Sequence, residues 1–416
     1  MARVASGRMP LSPYRDQDVT QTALQMDFDV DTGLGRESRA AAGCTLCGSR
    51  HSRVVCSSHD VAVQRAFLER FYRSRWREQN RATATDRVKC TQNDSTGIVA
   101  CGECGLLYRS PRPPGEAVAK AYETERYDGR YLWDEFEVQR AWARKKIPAF
   151  EQRLARVTKR ARPRILEVGS FVGGFLAEGA ARGWDMFGID PGRDVTAFCR
   201  GQQLPVFQGT IEEAKLCPAS FDAVVIWNTF DQLPDPHALL KQAVMLLRSG
   251  GLFAVRVPNG ACFDWAMSLR AALPERLRVP VDLALAWNNL LTFPYLQGYS
   301  VGQLVDLLKT YGFRLLDCLP DQLAPVPAGH LRWWAALEER GTKLLCRSAG
   351  MLWPDDRSRR FRAAPWLEVY FERACADADA TQQISLGVVP VYAPLAFEDT
   401  GSDCRRNQWD REGGWR

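Results

Sequence analysis

Ile165-Leu166-Glu167-Val168-Gly169-Ser170-Phe171-Val172-Gly173-Gly174-Phe175 is the stretch on which the fold turns. An apolar run ends in an acid, a glycine-rich turn follows, and a helix-forming segment begins. Downstream the same rhythm continues. Short apolar runs at 164–168, 185–190, 205–208, 222–228 and 252–257 read as strands, each separated from the next by a loop or a helix-length segment. Such alternation predicts an α/β fold, a parallel sheet covered by helices. One helix has both ends marked: Asp235 caps it, Pro236 suits its first turn and Gly250 follows it, with Leu239, Leu240, Ala243, Val244, Met245 and Leu247 as its apolar side. After Pro258 an aromatic-rich stretch interrupts the pattern through Tyr299. A helix over 300–311 and a strand over 313–319 then resume it. Residues 330–376 read as two helices bearing Trp333, Trp334, Trp353 and Trp366, and 384–391 as a late strand.

A glycine-rich turn between strand and helix is where a nucleotide cofactor meets a doubly wound sheet, because glycine allows close approach and the helix start favours negative charge. Asp190 ends the second strand, 21 residues beyond Gly169, at the spacing of a carboxylate that holds ribose hydroxyls. A dinucleotide would need glycine at the second position of the turn for its pyrophosphate, and Phe171 stands there. S-adenosylmethionine has no pyrophosphate. Its amino acid end can be met by the turn's amides and by Glu167, so it is the cofactor the residues favour.

Residues 162–320 resemble the class I S-adenosylmethionine-dependent methyltransferases through four blocks in order: Leu166-Glu167-Val168-Gly169, Gly188-Ile189-Asp190-Pro191, Phe221-Asp222-Ala223-Val224-Val225 and Leu247-Arg248-Ser249-Gly250-Gly251-Leu252. The resemblance implies a Rossmann-like sheet of seven strands in the order 3-2-1-4-5-7-6, with 384–391 as its antiparallel last strand. It also implies that Glu167, Gly169, Ser170, Phe171 and Gly173 line the methionine part, that Asp190 and Pro191 meet the ribose, and that Thr210 and Ile211 meet the adenine. Trp227 and Asn228 would complete the cofactor edge.

The chain carries 13 cysteines, and four of them form two pairs, Cys44-x-x-Cys47 and Cys101-x-x-Cys104, each followed by glycine at Gly48 or Gly105. Four thiolates at this spacing are the ligand set of a structural Zn²⁺ site with no open position. Binding of that kind contributes on the order of 10 kcal/mol to folding, enough to hold a small domain with little core. His51, Cys56, His59 and Cys90 are possible substitutes. Between the pairs, residues 62–87 carry seven Arg against two Glu and one Asp and read as an inserted helix. The ribbon, the phrase Cys101-Gly102-Glu103-Cys104-Gly105-Leu106-Leu107-Tyr108, the prolines at 111–114 and Tyr122, Tyr127 and Tyr131 resemble a subgroup of the same family related to nucleotide-sugar methyltransferases. In that subgroup the tyrosines lie near the cofactor.

The expected organisation is a disordered leader over 1–43, a zinc ribbon with an Arg-rich helical insert over 44–114, and linker helices over 115–161. A methyltransferase domain follows over 162–396, with insertions at 261–299 and 321–383, and then a disordered tail over 397–416. With 46% hydrophobic and 25% charged residues among 416, the chain has the composition of a globular protein. It shows neither an apolar run of membrane-spanning length nor a secretory signal, so a cytoplasmic location is expected. A net charge of +6 does not by itself imply nucleic acid.

Methyl transfer from a sulfonium is an in-line displacement that depends on orientation and exclusion of water. After the fourth strand the chain reads Trp227-Asn228-Thr229-Phe230-Asp231-Gln232-Leu233-Pro234-Asp235-Pro236, and in the family this edge faces the methyl. Many relatives have histidine where Gln232 stands. Glutamine takes no proton at neutral pH, so a base would have to be Asp231, another residue or the substrate itself. His237 reads as a surface residue of the first helical turn. The Asn/Asp-Pro-Pro-Tyr motif and a Pro-Cys nucleophile are both absent, which disfavours two kinds of base methylation. The expected reaction is methyl transfer to a small-molecule acceptor such as a sugar or another secondary metabolite. Two alternatives remain open: an RNA methyltransferase gripping phosphates through Arg70, Arg73, Arg75, Arg77 and Arg81 among Phe71, Tyr72 and Trp76, and a non-catalytic cofactor-binding protein. The aromatics of 261–299 either roof a substrate pocket or bury one another.

Overall fold

The computed structural model describes residues 43–77, 96–352 and 362–374. The leader up to residue 42, Arg81, Cys90, Trp353, residues 384–391 and the tail lie outside them.

The central strands form because their residues are largely apolar, as strands covered on both faces must be. They are β4 (Arg164–Val168), β5 (Asp185–Asp190), β6 (Val206–Gln208), β7 (Phe221–Trp227) and β8 (Leu247–Pro258), joined by β10 (Phe313–Asp321) and β11 (Trp366–Arg373). All seven residues of β7 are buried. The sheet runs β6-β5-β4-β7-β8-β11-β10, which is 3-2-1-4-5-7-6 when its strands are counted along the chain. β11 lies antiparallel between β8 and β10, as the resemblance implied, but it is built from 366–373. The late strand was expected at 384–391 because Ile384–Val391 is the more apolar run; the alternation of Leu367, Val369 and Phe371 with Glu368 and Glu372 is a weaker signal. Trp366 therefore belongs to the sheet and not to a helix, and the span 321–383 is not a single insertion. One long helix, Trp333–Leu352, occupies the region read as two.

The helix capped by Asp235 spans Pro236–Leu246 and stops four residues before Gly250, because Leu247 already pairs with Phe221 as the start of β8. Asp235 accepts from the amides of His237 and Ala238, the expected cap. A 29-residue helix, Gly129–Val157, covers one face of the sheet, burying Phe136, Ile147, Phe150 and Leu154 against Phe175, Trp184 and Tyr370.

In front of this domain, β1 (Ser52–Cys56), β2 (Gly97–Cys101), β3 (Leu107–Ser110) and β9 (Gln297–Gly298) form a second, antiparallel sheet in that order. β9 comes from the stretch read as an insertion, so the ribbon sheet is completed by the methyltransferase region. The helix Ser58–Arg75 begins with a capping box of Ser57 and Asp60. Its Phe71, Tyr72 and Trp76 are buried and pack on Trp287. Arg75 pairs with Glu338 at 2.7 Å and Arg77 donates to the Leu331 carbonyl. The aromatics of this helix are therefore core, and Arg75 and Arg77 are engaged within the chain, while Arg70 and Arg73 are exposed. Phe263, Trp287 and Phe293 fill the same cluster, so most of the 261–299 aromatics bury one another. Among the described residues no helix is long and apolar enough to cross a membrane.

Candidate functional site

β4 delivers Glu167 to the carboxyl edge of the sheet, and the chain then turns through Gly169 at φ +73°. A Cβ at Gly169 would sit 2.3 Å from Thr229 Oγ1, so the turn packs directly against the segment following β7. Ser170 donates its amide to the Ile189 carbonyl. Phe171 then takes φ +46°, a conformation rare for a bulky residue and found where function constrains the backbone. Its amide donates to Asp190 Oδ2 at 2.8 Å, while Asp190 Oδ1 accepts from Gly192 at 2.9 Å. Asp190 is therefore turned toward the glycine loop. Gly173 caps the helix Gly174–Ala180 at φ +75°.

Two carboxyl groups are enclosed here. Burial raises Glu167 well above the ordinary carboxylate range, and the nearby Asp190 raises it further. Burial pushes Asp190 up to about 6, against the pull of its two amide donors. Glu167 Oε2 and Ser170 Oγ have no hydrogen-bond partner among the described residues. Two buried acids that repel each other, beside a free acceptor and a free hydroxyl, favour a ligand bringing positive charge and hydroxyl donors. S-adenosylmethionine carries both, as sulfonium with ammonium and as ribose.

The remaining expected cofactor residues divide. Ile211 is buried beside this edge, and Thr210 is exposed. Pro191 is half-buried, following Asp190. Trp227 packs edge-on against Trp142 and Phe175, with its indole nitrogen unpartnered. Asn228, at φ +60°, accepts from Arg256. Tyr127 meets Phe171 edge-on with ring centroids 5.5 Å apart, so it reaches the loop, and Tyr131 stacks behind it on Tyr127.

At the edge that follows β7 Gln232 is held at both ends: Oε1 accepts from Tyr122 and Nε2 donates to the Asn228 carbonyl, each at 2.7 Å. Asp231 is 2% exposed with Oδ1 unpartnered, and burial pushes its carboxyl up to about 7. His237 is no free surface residue. Its ring bridges Tyr311 Oη at 2.7 Å and the Thr45 carbonyl at 2.8 Å. Beside Trp142 a groove of about 400 Å³ opens between the long helix and residues 324–330, lined by Val138, Trp142, Lys145, Pro325, Pro327 and His330.

The four ribbon thiols converge, with all Sγ atoms within 4.8 Å of one another and Cys44–Cys104 and Cys47–Cys101 both at 3.5 Å. A tetrahedral Zn²⁺ with Zn–S of about 2.3 Å separates its sulfurs by roughly 3.8 Å, so the donor set fits. Gly48 and Gly105 adopt φ +73° and +72° and donate to the carbonyls of Cys44 and Cys101. That left-handed turn is why glycine follows each pair. His51, Cys56 and His59 are not part of this group. Nine of the described cysteines are free thiols; Cys217 is the exception, being disulfide-bonded.

Sequence reasoning missed Gln297 and an ion network of Arg256, Asp321, Lys146 and Glu368. Neither leaves a periodic or spaced signal.

The methyltransferase-domain family matches residues 137–317. A ubiquinone biosynthesis O-methyltransferase of Sodalis glossinidius is 31% identical over 116 residues, 26% of this chain and 46% of that protein. One of Aeromonas salmonicida is 35% identical over 104 residues, 23% and 43%. The chain thus spans under half the length of these curated relatives. Among solved structures, an Archaeoglobus fulgidus SAM-dependent methyltransferase is 17% identical, with 59% of this chain and 100% of that chain covered and a TM-score of 0.37. By its strand order and by the matched family, the stretch over residues 137–317 carries a methyltransferase domain.

Proposed function

We propose that this protein transfers the methyl group of S-adenosylmethionine to a small-molecule acceptor, a sugar or another secondary metabolite, presented at the edge formed by residues 227–235. The observation that carries the reading is the enclosed pair Glu167 and Asp190, with Glu167 Oε2 and Ser170 Oγ left unpartnered at the glycine turn. Glu167 and Ser170 would hold the amino acid end, Asp190 and Pro191 the ribose, and Ile211 with Thr210 the adenine; the amides of Gly169, Ser170 and Phe171 are spent on Ile189 and Asp190 and shape the turn instead. Bound there, the cofactor supplies an electrophilic methyl. What the chain supplies is orientation and exclusion of water.

The curated relatives named above methylate oxygen by their names, and an oxygen acceptor is the nearest chemical analogy. Gln232 cannot accept a proton, and its amide is already occupied by Tyr122 and Asn228. Proton removal therefore falls to Asp231, whose carboxyl titrates near neutrality and would have to be reached from the edge, or to an acceptor acidic enough to ionise unaided. The groove beside Trp142 is the route by which we place the acceptor, because Trp142 touches Trp227 at the end of β7. The four thiols hold a structural Zn²⁺.

The test is incubation of the protein with methyl-labelled donor and fractionated small metabolites, together with calorimetric titration of S-adenosylhomocysteine. Binding with label transfer to a small molecule supports the reading. Absence of binding overturns it, and binding without transfer to any fraction leaves a cofactor-binding protein instead.

A further inference from the structure

Gln297 has no exposed surface, yet its side chain links two distant parts of the chain. Its Oε1 accepts from Thr45 Oγ1 at 2.6 Å and from Tyr299 Oη at 2.7 Å, and its Nε2 donates to the Leu233 carbonyl at 2.9 Å. Thr45 lies between Cys44 and Cys47, inside the first thiol knuckle. Leu233 follows Asp231 and Gln232 on the edge that follows β7. Next to Gln297, Leu296 donates its amide to the Asp231 carbonyl at 3.2 Å. The second knuckle is tied to the same region, since Gln303 Nε2 donates to the Cys104 carbonyl at 2.7 Å.

A buried amide whose acceptor and donor sides are both engaged keeps one orientation, because rotating it by half a turn would set its oxygen against the Leu233 carbonyl, acceptor against acceptor. Gln297 thus bridges the Leu233 carbonyl, which holds its Nε2, and the Thr45 and Tyr299 hydroxyls, which hold its Oε1, and the position of Thr45 is set by the knuckle that contains it. We infer that Gln297 is a positioning residue, through which a metal ion in the four-thiol site fixes the backbone of residues 231–233. The inference rests on the proposed function only for what that edge does; the coupling itself is a property of the fold.

Amide hydrogen exchange on the full chain tests it, comparing Zn²⁺-loaded protein with protein treated with a chelator, and Zn²⁺-loaded Thr45→Val and Thr45→Ser variants. Removing the metal is expected to speed exchange in peptides covering 228–237 and 294–298. The loss of one buried hydrogen bond in Thr45→Val should do the same with metal still bound, on the order of tenfold. Thr45→Ser, which keeps the hydroxyl, should match the unchanged protein. A purely structural role for Thr45 would instead raise exchange across the ribbon sheet, so confinement to the two peptides is the informative readout. Equal exchange in Thr45→Val and Thr45→Ser overturns the inference. So does metal removal that leaves 228–237 unchanged while the ribbon loosens. If chelation unfolds the whole chain, the two loaded variants decide alone. Failure of methyl transfer or cofactor binding would sink the proposed function and leave these exchange results standing.

Discussion

The phenolic hydroxyl of Tyr122 donates to Gln232 Oε1 across 2.7 Å, so a tyrosine from the helix Gly115–Thr124 fixes the side chain that stands where many relatives carry histidine. The amide's other end is fixed by the Asn228 carbonyl. The position therefore shapes the edge proposed for the acceptor without supplying a base. Tyr122→Phe is expected to lower methyl transfer roughly fivefold, the kinetic equivalent of the about 1 kcal/mol carried by one such hydrogen bond, with the melting temperature almost unmoved. Steady-state rates and a thermal melt on the same preparation check it; an unchanged rate would show that the edge does not need this bond.

Asp190 sets a pH dependence whose sign follows from its raised pKa. In the folded chain it holds its proton up to about 6, against 3.8 ordinarily. Its contribution to stability is thus largest at acidic pH and is lost as pH rises from 3.8 through about 6. Cofactor binding has the opposite slope, because ribose hydroxyls donate best to the ionised carboxylate. S-adenosylhomocysteine, which lacks the sulfonium charge, isolates that effect: its affinity should rise as pH increases through about 6, with proton release on binding. Calorimetry in buffers of different ionisation enthalpy measures both, and Asp190→Asn should flatten the profile.

Gly169 and Thr229 make a paired prediction. A Cβ at 169 would meet Thr229 Oγ1 at 2.3 Å, Cγ2 at 2.8 Å and Cβ at 2.9 Å, on a backbone at φ +73°. Gly169→Ala is expected to cost about 1–2 kcal/mol from the left-handed backbone alone, and more from the contact. Adding Thr229→Gly should recover the contact part and leave the backbone part. Urea denaturation of the single and double variants separates the two; full recovery in the double would mean the backbone contributes nothing.

What could be read from the sequence was what local physics writes into it. The strands at 164–168 and 185–190 announce themselves because a buried parallel strand is mostly apolar, and the acid at 190 and the glycines at 48 and 105 because a spacing or a turn demands them. β11 was misplaced because Glu368 is completely buried, its charge met by Lys146 from a helix 222 residues away in sequence, and no window of sequence reveals that partner. His237 reads as a surface residue for the same reason: Thr45, whose backbone carbonyl accepts from its ring, lies 192 residues earlier. Gln297 is the extreme case, a single polar residue whose meaning exists only once three distant segments have met.

The thiol site makes a prediction about the extent of damage. Cys44 and Cys101 belong to the same apolar cluster as Leu166, Val168 and Ile226 of the central sheet. Purified protein is expected to contain one Zn²⁺ per chain, measured by elemental analysis. Cys101→Ser should lower both metal content and the melting transition of the whole described unit, not of the ribbon alone, because ribbon and sheet share a core. Two separate transitions after metal loss would contradict that shared core.

The ion network at the carboxyl edge turns on Asp321. Arg256 is 1% exposed, stacks over Trp366 at 4.3 Å, and pairs with Asp321, which also takes Lys146 at 2.6 Å. Burial works against the charge on Asp321, but the Arg256 and Lys146 cations outweigh it and hold the carboxyl below its usual range. Asp321→Asn would leave Arg256 with the neutral acceptors Asn228 and Gln322, a buried cation without its counter-charge. Removing one partner of such a pair costs about 3–5 kcal/mol. Because the folded pKa is lowered, the stabilisation is present above the ordinary 3.8 and fades as pH falls below it. The difference in urea unfolding free energy between the unchanged protein and Asp321→Asn should therefore be large at neutral pH and shrink in acid, as the native carboxyl takes up the proton that makes it resemble the amide. A difference that stays constant with pH would mean that packing, and not charge, holds Asp321 in place.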